Sequence, residues 1–283
     1  MILNANCHTH STFCDGKNTI AEMADAAFNT GIKHLGFTSH AAWPITTGLE
    51  LQPDKYGEYK AQILEQRERF KDKMEILIGL EADYIPPVTA PDYSFYSFFE
   101  PDFLIGSVHY ISNDDAPENG IFAVDDTPEF LKKGIDTVFL GNAKKAVQTY
   151  FLRQRQMLEK CDFDIIGHID LIRKYNETVK MFDENESWYK NELKATAKCV
   201  KKNGAVVEIN TGAMSRQIMK NPYPSLYFLE LLQSLNVPVM INSDAHSINH
   251  ITYGFEEALS LAKKAGYKEI HYLTLQGWKT QSV

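Results

Sequence analysis

The chain has 283 residues, with 29 Lys and Arg against 37 Asp and Glu, a formal charge of −8. That balance argues against a basic nucleic-acid or lipid-headgroup surface. A hydrophobic fraction of 44% over this length is enough for the core of one α/β barrel, and a single domain over 1–283 is the expectation. No apolar run approaches the roughly 20 residues that span a bilayer, and no basic segment followed by an apolar one opens the sequence. The expected protein is cytoplasmic, with no membrane or nucleic-acid partner; its oligomeric state is not legible. Cys7, Cys14, Cys161 and Cys199 are too few and too irregularly spaced for a disulfide framework, so reduced thiols are expected.

In chain order, short Val/Ile/Leu/Phe-rich runs alternate with longer amphipathic ones, the order that builds a parallel sheet covered by helices. Strands are predicted at Ile2–Cys7, His34–Thr38, Glu75–Leu80, Asp102–Val108, Phe163–Gly167, Ala205–Ile209 and Val237–Asn242. Helices are predicted at Ile20–Asn29, Asp54–Lys73, Asn142–Glu159, Glu186–Asn203, Ser225–Leu235 and Phe255–Ala265. Gly31, Gly204 and Gly266 stand where C-terminal stops belong. A last run, Glu269–Leu273, reads either as an eighth strand or as an edge piece. From Ile111 to about Gly141 the chain is rich in Asp, Asn, Pro and Gly and too long for an ordinary βα loop. It is expected to be an active-site lid or insert, with a short helix near Pro128–Lys133.

The chemistry gathers at the strand ends. His8 and His10 end the first strand, His40 the second, Glu81 the third, His109 the fourth, His168 the fifth, and Asp244 with His246 the last. The C-terminal strand ends of a parallel barrel share one face, where catalytic groups assemble. His8-Thr9-His10 is an i, i+2 pair, so both imidazoles lie on one side of the strand. Imidazoles and carboxylates without matched cysteines suit Zn, Mn or Fe in an open catalytic site rather than a closed structural one. This many ligands exceeds what one tetrahedral ion uses, so two or three ions are implied. Cys7 and Cys14 lie beside this set but read as buried core thiols.

The runs His8-Thr9-His10-Ser11, Asp15-Gly16, Gly36-Phe37-Thr38-Ser39-His40, Gly79-Leu80-Glu81, Gly106-Ser107-Val108-His109, Gly167-His168-Ile169-Asp170, Glu208-Ile209-Asn210-Thr211-Gly212 and Ser243-Asp244-Ala245-His246 resemble the polymerase-and-histidinol-phosphatase (PHP) superfamily. The similarity runs from residue 4 to about residue 255. Phe13-Cys14-Asp15-Gly16 and Gly167-His168-Ile169-Asp170-Leu171-Ile172-Arg173 resemble in particular its monofunctional histidinol-phosphate phosphatases. The resemblance implies a distorted (β/α)7 barrel with three divalent metal ions. His8, His10, Glu81 and Asp244 would hold the first ion, Glu81 bridging to a second held also by His109 and His168. Asp15, His40 and His246 would hold the third. Many members of the superfamily have His where Asp15 stands, so this site has a harder, anionic ligand.

The reaction so implied is hydrolysis of a small phosphate monoester, L-histidinol phosphate, in histidine biosynthesis. Glu81, Asp244 and His246 are the candidate catalytic groups, Asp244 or His246 relaying a proton to the leaving alkoxide. Arg173 and Arg216, each a few residues beyond a strand end, are the candidate phosphate binders. Trp43, Tyr84, Tyr110 and Tyr93-Ser94-Phe95-Tyr96 are candidates to wall an imidazole pocket, with Asp83 or Asp114-Asp115 to meet an ammonium. A PHP-type phosphoesterase of other specificity, a metal-dependent amidohydrolase and a metal-sequestering module are the alternatives. The amidohydrolase class commonly wants a bridging Lys at a strand end, and no strand end here carries one.

Overall fold

The computed structural model describes residues 3–44 and 47–283. Ile2, placed in the first predicted strand, lies outside the described residues. In chain order the elements are β1 (Ala5–Asn6), α1 (Ile20–Thr30), β2 (His34–His40), α2 (Tyr56–Arg69), β3 (Glu75–Asp83), β4 (Phe103–Ser107), β5 (Tyr110–Ser112), β6 (Ile121–Ala123), α3 (Pro128–Val138), α4 (Ala143–Lys160), β7 (Ile165–Ile166), α5 (Asn176–Val179), α6 (Ser187–Asn203), β8 (Val206–Asn210), α7 (Gly212–Ser215), α8 (Leu226–Ser234), β9 (Val239–Asn242), α9 (Phe255–Lys264), β10 (Glu269–Thr274) and β11 (Gly277–Ser282). The helix boundaries follow local chemistry. At the start of α1, Thr19 and Glu22 form a reciprocal capping box, and Gly31 and Gly204 end α1 and α6 at φ 90° and 91°, a left-handed conformation costly for other residues.

Among the described residues, seven parallel strands form one sheet in the order β1-β2-β3-β4-β7-β8-β9. The two edge strands then meet: Thr9 pairs with Ala245, His10 N donates to Ala245 O at 2.9 Å, and Cys7 N donates to the Asn242 side chain at 2.8 Å. A side-chain amide thus stands in for a missing ladder bond, and the sheet becomes a nearly closed, distorted (β/α)7 barrel. Alternation divides the strands between two cores. In β3, Ile76, Ile78 and Leu80 pack outward under the helices, while Leu77 belongs to the barrel interior with Cys7, Phe103, Ile105, Ile165, Val206 and Met240. Phe103 fits only because its neighbours lack side chains: a Cβ on Gly36 or Gly79 would stand 2.7 or 2.6 Å from its ring.

Glu269–Leu273 is not an eighth barrel strand. It belongs to β10, which pairs antiparallel with β11 in a separate hairpin, and Leu273 reaches into the barrel interior. Between residues 110 and 141, β5 and β6 form a small antiparallel arm. The helix expected near Pro128–Lys133 continues as α3 to Val138, since Leu131, Gly134, Ile135 and Val138 form a buried stripe. Among the described residues, no helix is long and apolar enough to cross a membrane, and all four cysteines are free.

Candidate metal centre

The residues expected to bind metal converge at the C-terminal mouth of the barrel. His40 and Glu81 are still within β2 and β3, whereas His8, His10, His109, His168, Asp244 and His246 sit on the short connections just beyond their strands. Asp15 arrives from the turn before α1. Gly16 permits this turn, because a Cβ there would lie 2.4 Å from the backbone nitrogen of Ser11. Asp244 has φ 50°, the left-handed region in which Asp is better tolerated than most residues.

Glu81 is the centre of the cluster. Its Oε2 lies 3.2 Å from His8 Nε2, 3.6 Å from His10 Nε2 and 3.1 Å from His40 Nδ1. Its Oε1 lies 2.9 Å from His168 Nε2 and 3.5 Å from His109 Nε2, and accepts from Ser107 Oγ at 2.7 Å. Asp244 Oδ1 approaches His10 Nε2 at 3.3 Å and His8 Nε2 at 3.8 Å. Asp15 meets His246 Nε2 at 3.0 Å, and His10 Nδ1 and His40 Nε2 each at 3.7 Å. Three groups of potential ligand atoms follow: His10, Asp15, His40 and His246; His8, His10 and Glu81; and His40, Glu81 and His109. His10 and His40 each fall in two of them, so the groups are one continuous cluster.

The donor set fits divalent metal. His8 Nε2, His10 Nε2 and Asp15 Oδ1 are buried and accept or donate no hydrogen bond, although buried polar atoms are normally satisfied. Imidazole nitrogens and carboxylate oxygens at this density are the ligands of Zn, Mn or Fe. The electrostatics agree. Burial disfavours the charge on Glu81, but the imidazoles of His8, His40 and His109 outweigh it and hold the carboxyl well below its ordinary range. Burial, aided by repulsion from His246 and His40, lowers His10 to about 3, so the ring is neutral and one of its nitrogens keeps a lone pair for a ligand bond. For His109 burial is overcome by Asp83 and Glu81, which raise it to about 10; metal binding there must displace a proton.

Two carboxylates that support the cluster were not among the expected metal-site residues. Glu208, fully buried on β8, takes His8 Nδ1 on Oε2 at 2.9 Å, and Asp83 takes His109 Nδ1 at 2.9 Å. Both point the opposite ring nitrogen at the cluster, the usual role of a carboxylate behind a metal-binding imidazole. The signal in the sequence was alternation: Glu208 shares the inward face of β8 with Asn210, and Asp83 that of β3 with Glu81. Asp83, a candidate to meet an ammonium, is engaged with His109 and also lines the larger of the two cavities described below.

Of the two candidate phosphate binders, the structure brings only Arg216 to the cluster. Its Nη2 donates to Asp244 Oδ2 at 3.2 Å and its Nη1 lies 3.1 Å from His246 Nδ1. Gly212 makes room, since a Cβ there would stand 2.5 Å from Asp244 Oδ2 and 2.9 Å from Arg216 Nη2. Arg173 does not line the cavity. A 3-10 turn over Leu171–Arg173 carries its guanidinium away to Glu184, 3.2 Å from Nε, and towards Asp170. Its neighbour Lys174 lines the cavity instead.

Above Glu81 lies a cavity of about 80 Å³, walled by His109, His168, Lys174, Arg216, Asp244 and His246 among others. A second cavity of about 470 Å³ shares His40, His109 and Asp125 with it and is lined by Trp43, Tyr110, Phe122 and Phe130, with Glu50, Asp83 and Asp126 among them. Trp43 and Tyr110 are where the sequence reading expects them. Tyr84 and Tyr96 are buried in the outer core, and Tyr93 donates to Asp164 at 2.6 Å. Asp114 and Asp115 pair with Arg153 and Lys145 of α4.

A parallel barrel with an imidazole–carboxylate cluster at its C-terminal mouth defines a metal-dependent hydrolase architecture. The PHP domain model matches residues 6–212, and the chain belongs to that family. It is 25% identical over 272 residues to a probable histidinol-phosphatase of Schizosaccharomyces pombe, covering 92% of this chain and 86% of that one. To the histidinol-phosphatase of Bacillus subtilis it is 23% identical, covering 89% and 97%. Among solved structures, a Listeria monocytogenes putative histidinol phosphatase superposes with TM-score 0.77 at 20% identity, over 89% of this chain and 98% of that one. The Lactococcus lactis histidinol phosphate phosphatase, solved with zinc, L-histidinol and phosphate, superposes with TM-score 0.71 at 22% identity over 98% of each chain. These two likenesses are likenesses of fold.

Proposed function

We propose that this chain is a metal-dependent phosphomonoesterase that hydrolyses L-histidinol phosphate to L-histidinol and phosphate, a step of histidine biosynthesis. The observation that carries the reading is the junction of two unlike cavities: an 80 Å³ one over the shared carboxylate of Glu81, and a 470 Å³ aromatic and acidic one. The first suits a phosphoryl group. The second suits a cationic, aromatic leaving group, with Trp43 and Tyr110 offering ring faces and Glu50, Asp83, Asp125 and Asp126 offering negative charge. Relatives named histidinol-phosphatase, matched over nearly their whole length, support the substrate.

Three divalent ions, Zn, Mn or Fe, are assigned to the cluster: one to His8, His10, Glu81 and Asp244, a second to Glu81, His109 and His168, and a third to Asp15, His40 and His246. When bound, such ions make a nucleophile available at neutral pH and neutralise phosphoryl charge. Glu208 and Asp83 hold His8 and His109 in the tautomers that present Nε2. Arg216 offers its planar fork to phosphoryl oxygens. Asp244 and His246, on the Arg216 side of the cavity, are the two groups placed to return a proton to the leaving alkoxide. The arm and α3, within 111–141, form one wall of the leaving-group cavity and act as its lid.

The test is a substrate panel with metal-reconstituted protein: phosphomonoesters including histidinol phosphate, phosphodiesters and amides. Preferred turnover of histidinol phosphate is expected. Preference for a diester or an amide would overturn the assignment.

A further inference from the structure

The adjacent residues Arg173 and Lys174 follow the same strand and face opposite ways. With the Arg173 guanidinium drawn off to Glu184, the cation left at the cavity on this side is Lys174. Its side chain is only 7% exposed, which a lone ammonium does not tolerate. The partner comes from the chain segment that follows the β5–β6 arm: Nζ donates to Asp125 O at 2.7 Å and to Asp125 Oδ2 at 3.1 Å. An ammonium has three hydrogens. Asp125 takes two; Nζ also lies 5.4 Å from the centroid of the Tyr175 ring, and no hydrogen-bond acceptor for the third is present among the described residues. Arg216 lines the same cavity.

We propose that Lys174 is a second phosphate-binding cation of this site, anchored by Asp125 so that its third N–H meets the same phosphoryl group as Arg216. The inference rests on the phosphatase reading and adds a residue to it. A phosphoryl dianion that meets both a guanidinium fork and a point-like ammonium has charge-assisted donors of two kinds. Asp125 also lines the larger cavity, so the segment that closes around the leaving group carries the anchor of the phosphate cation.

The experiment measures product inhibition of the metal-reconstituted enzyme by inorganic phosphate and, separately, by L-histidinol, in wild type, Lys174→Met, Lys174→Gln and Lys174→Arg, with bound metal quantified in each. In the Met and Gln variants the phosphate inhibition constant should rise about 10 to 100-fold and kcat/KM should fall by a similar factor. Histidinol inhibition and metal content should stay within about twofold. The Arg variant should recover most of the phosphate affinity. An unchanged phosphate constant overturns the proposal, and so do phosphate and histidinol constants that rise together, the mark of a merely structural clasp. Equilibrium binding of inorganic phosphate to the same proteins gives this comparison without turnover. Wild-type protein that binds phosphate but leaves histidinol phosphate intact would overturn the substrate reading alone.

Discussion

The Glu208 carboxylate is completely buried, yet it accepts at both oxygens, holding His8 Nδ1 at 2.9 Å on Oε2. Asn242 Nδ2 shares that oxygen at 3.0 Å, while the His168 backbone N and Asn210 Nδ2 reach Oε1 at 2.8 and 2.7 Å. About four acceptor positions are thereby filled. Burial opposes the charge, but His8 outweighs it and keeps the group below its ordinary range, so Glu208 is ionised and His8 Nδ1 must be the donor. One carboxylate thus ties together segments following β1 and β7 with β8 and β9.

Replacing Glu208 with Gln keeps the volume but gives His8 Nδ1 a weaker acceptor or a competing donor. Metal affinity or activity should fall by about 10 to 100-fold. Metal titration of Glu208→Gln checks this, and wild-type affinity would remove the carboxylate from the site.

Chelation should abolish activity, and added Mn, Zn or Co should restore it. Glu81 faces five imidazoles across its two oxygens, whereas His40 is a peripheral member with 17% of its side chain exposed. Glu81→Ala should therefore cost more activity and more bound metal than His40→Ala. Equal, modest losses in metal content and turnover would count against a shared carboxylate.

Arg216→Met should retain its metal and lose roughly 10 to 100-fold in kcat/KM, the consequence of removing one charged hydrogen-bonding partner. Arg173→Met should act differently, lowering thermal stability more than kcat/KM, because its guanidinium pairs with Glu184 and Asp170. Steady-state kinetics beside thermal melts separate the two. Equal kinetic losses would return Arg173 to the phosphate.

Gly79→Ala should destabilise the fold by about 1–3 kcal/mol through overpacking, since its Cβ would stand 2.6 Å from the Phe103 ring inside the barrel. Shortening the ring in Gly79→Ala/Phe103→Leu should recover part of that loss. Urea denaturation of both variants gives the numbers, and additive losses would refute the contact.

Glu75 ties the C-terminal hairpin to the barrel, accepting from Leu275 N at 3.1 Å and lying 2.9 Å from His34 Nδ1. Burial alone would raise its pKa; the Leu275 bond and His34 outweigh it and lower the value from 4.5. A depressed acid stabilises the fold above its unfolded pKa and loses that contribution as pH falls through the folded value. The stability gap between wild type and Glu75→Gln should be present at neutral pH and close as the solution becomes more acidic than about pH 4. A gap that does not change with pH would mean the link is not ionic.

The barrel class was legible because parallel strands buried on both faces read as continuous apolar runs, and Gly31 and Gly204 marked where helices stop. The candidate metal cluster was legible because strand ends in such a barrel share one face, so His8, Glu81, His109 and Asp244 needed no coordinates to be grouped. Other features depended on direction rather than position along the chain. Arg173 and Lys174 are equivalent in sequence, and only the 3-10 turn over Leu171–Arg173 decides which one faces the cavity. Nothing local tied Asp83 to His109 or Glu208 to His8; tertiary packing set those imidazoles against them. Glu269–Leu273 had the composition of a strand, but its partner lay just beyond the next turn, in β11, and the barrel had already closed through Thr9 and Ala245. Periodicity and residue type carry information about the face an element buries; the partner a side chain finds across that face is set by strand register and crossover, which no local pattern encodes.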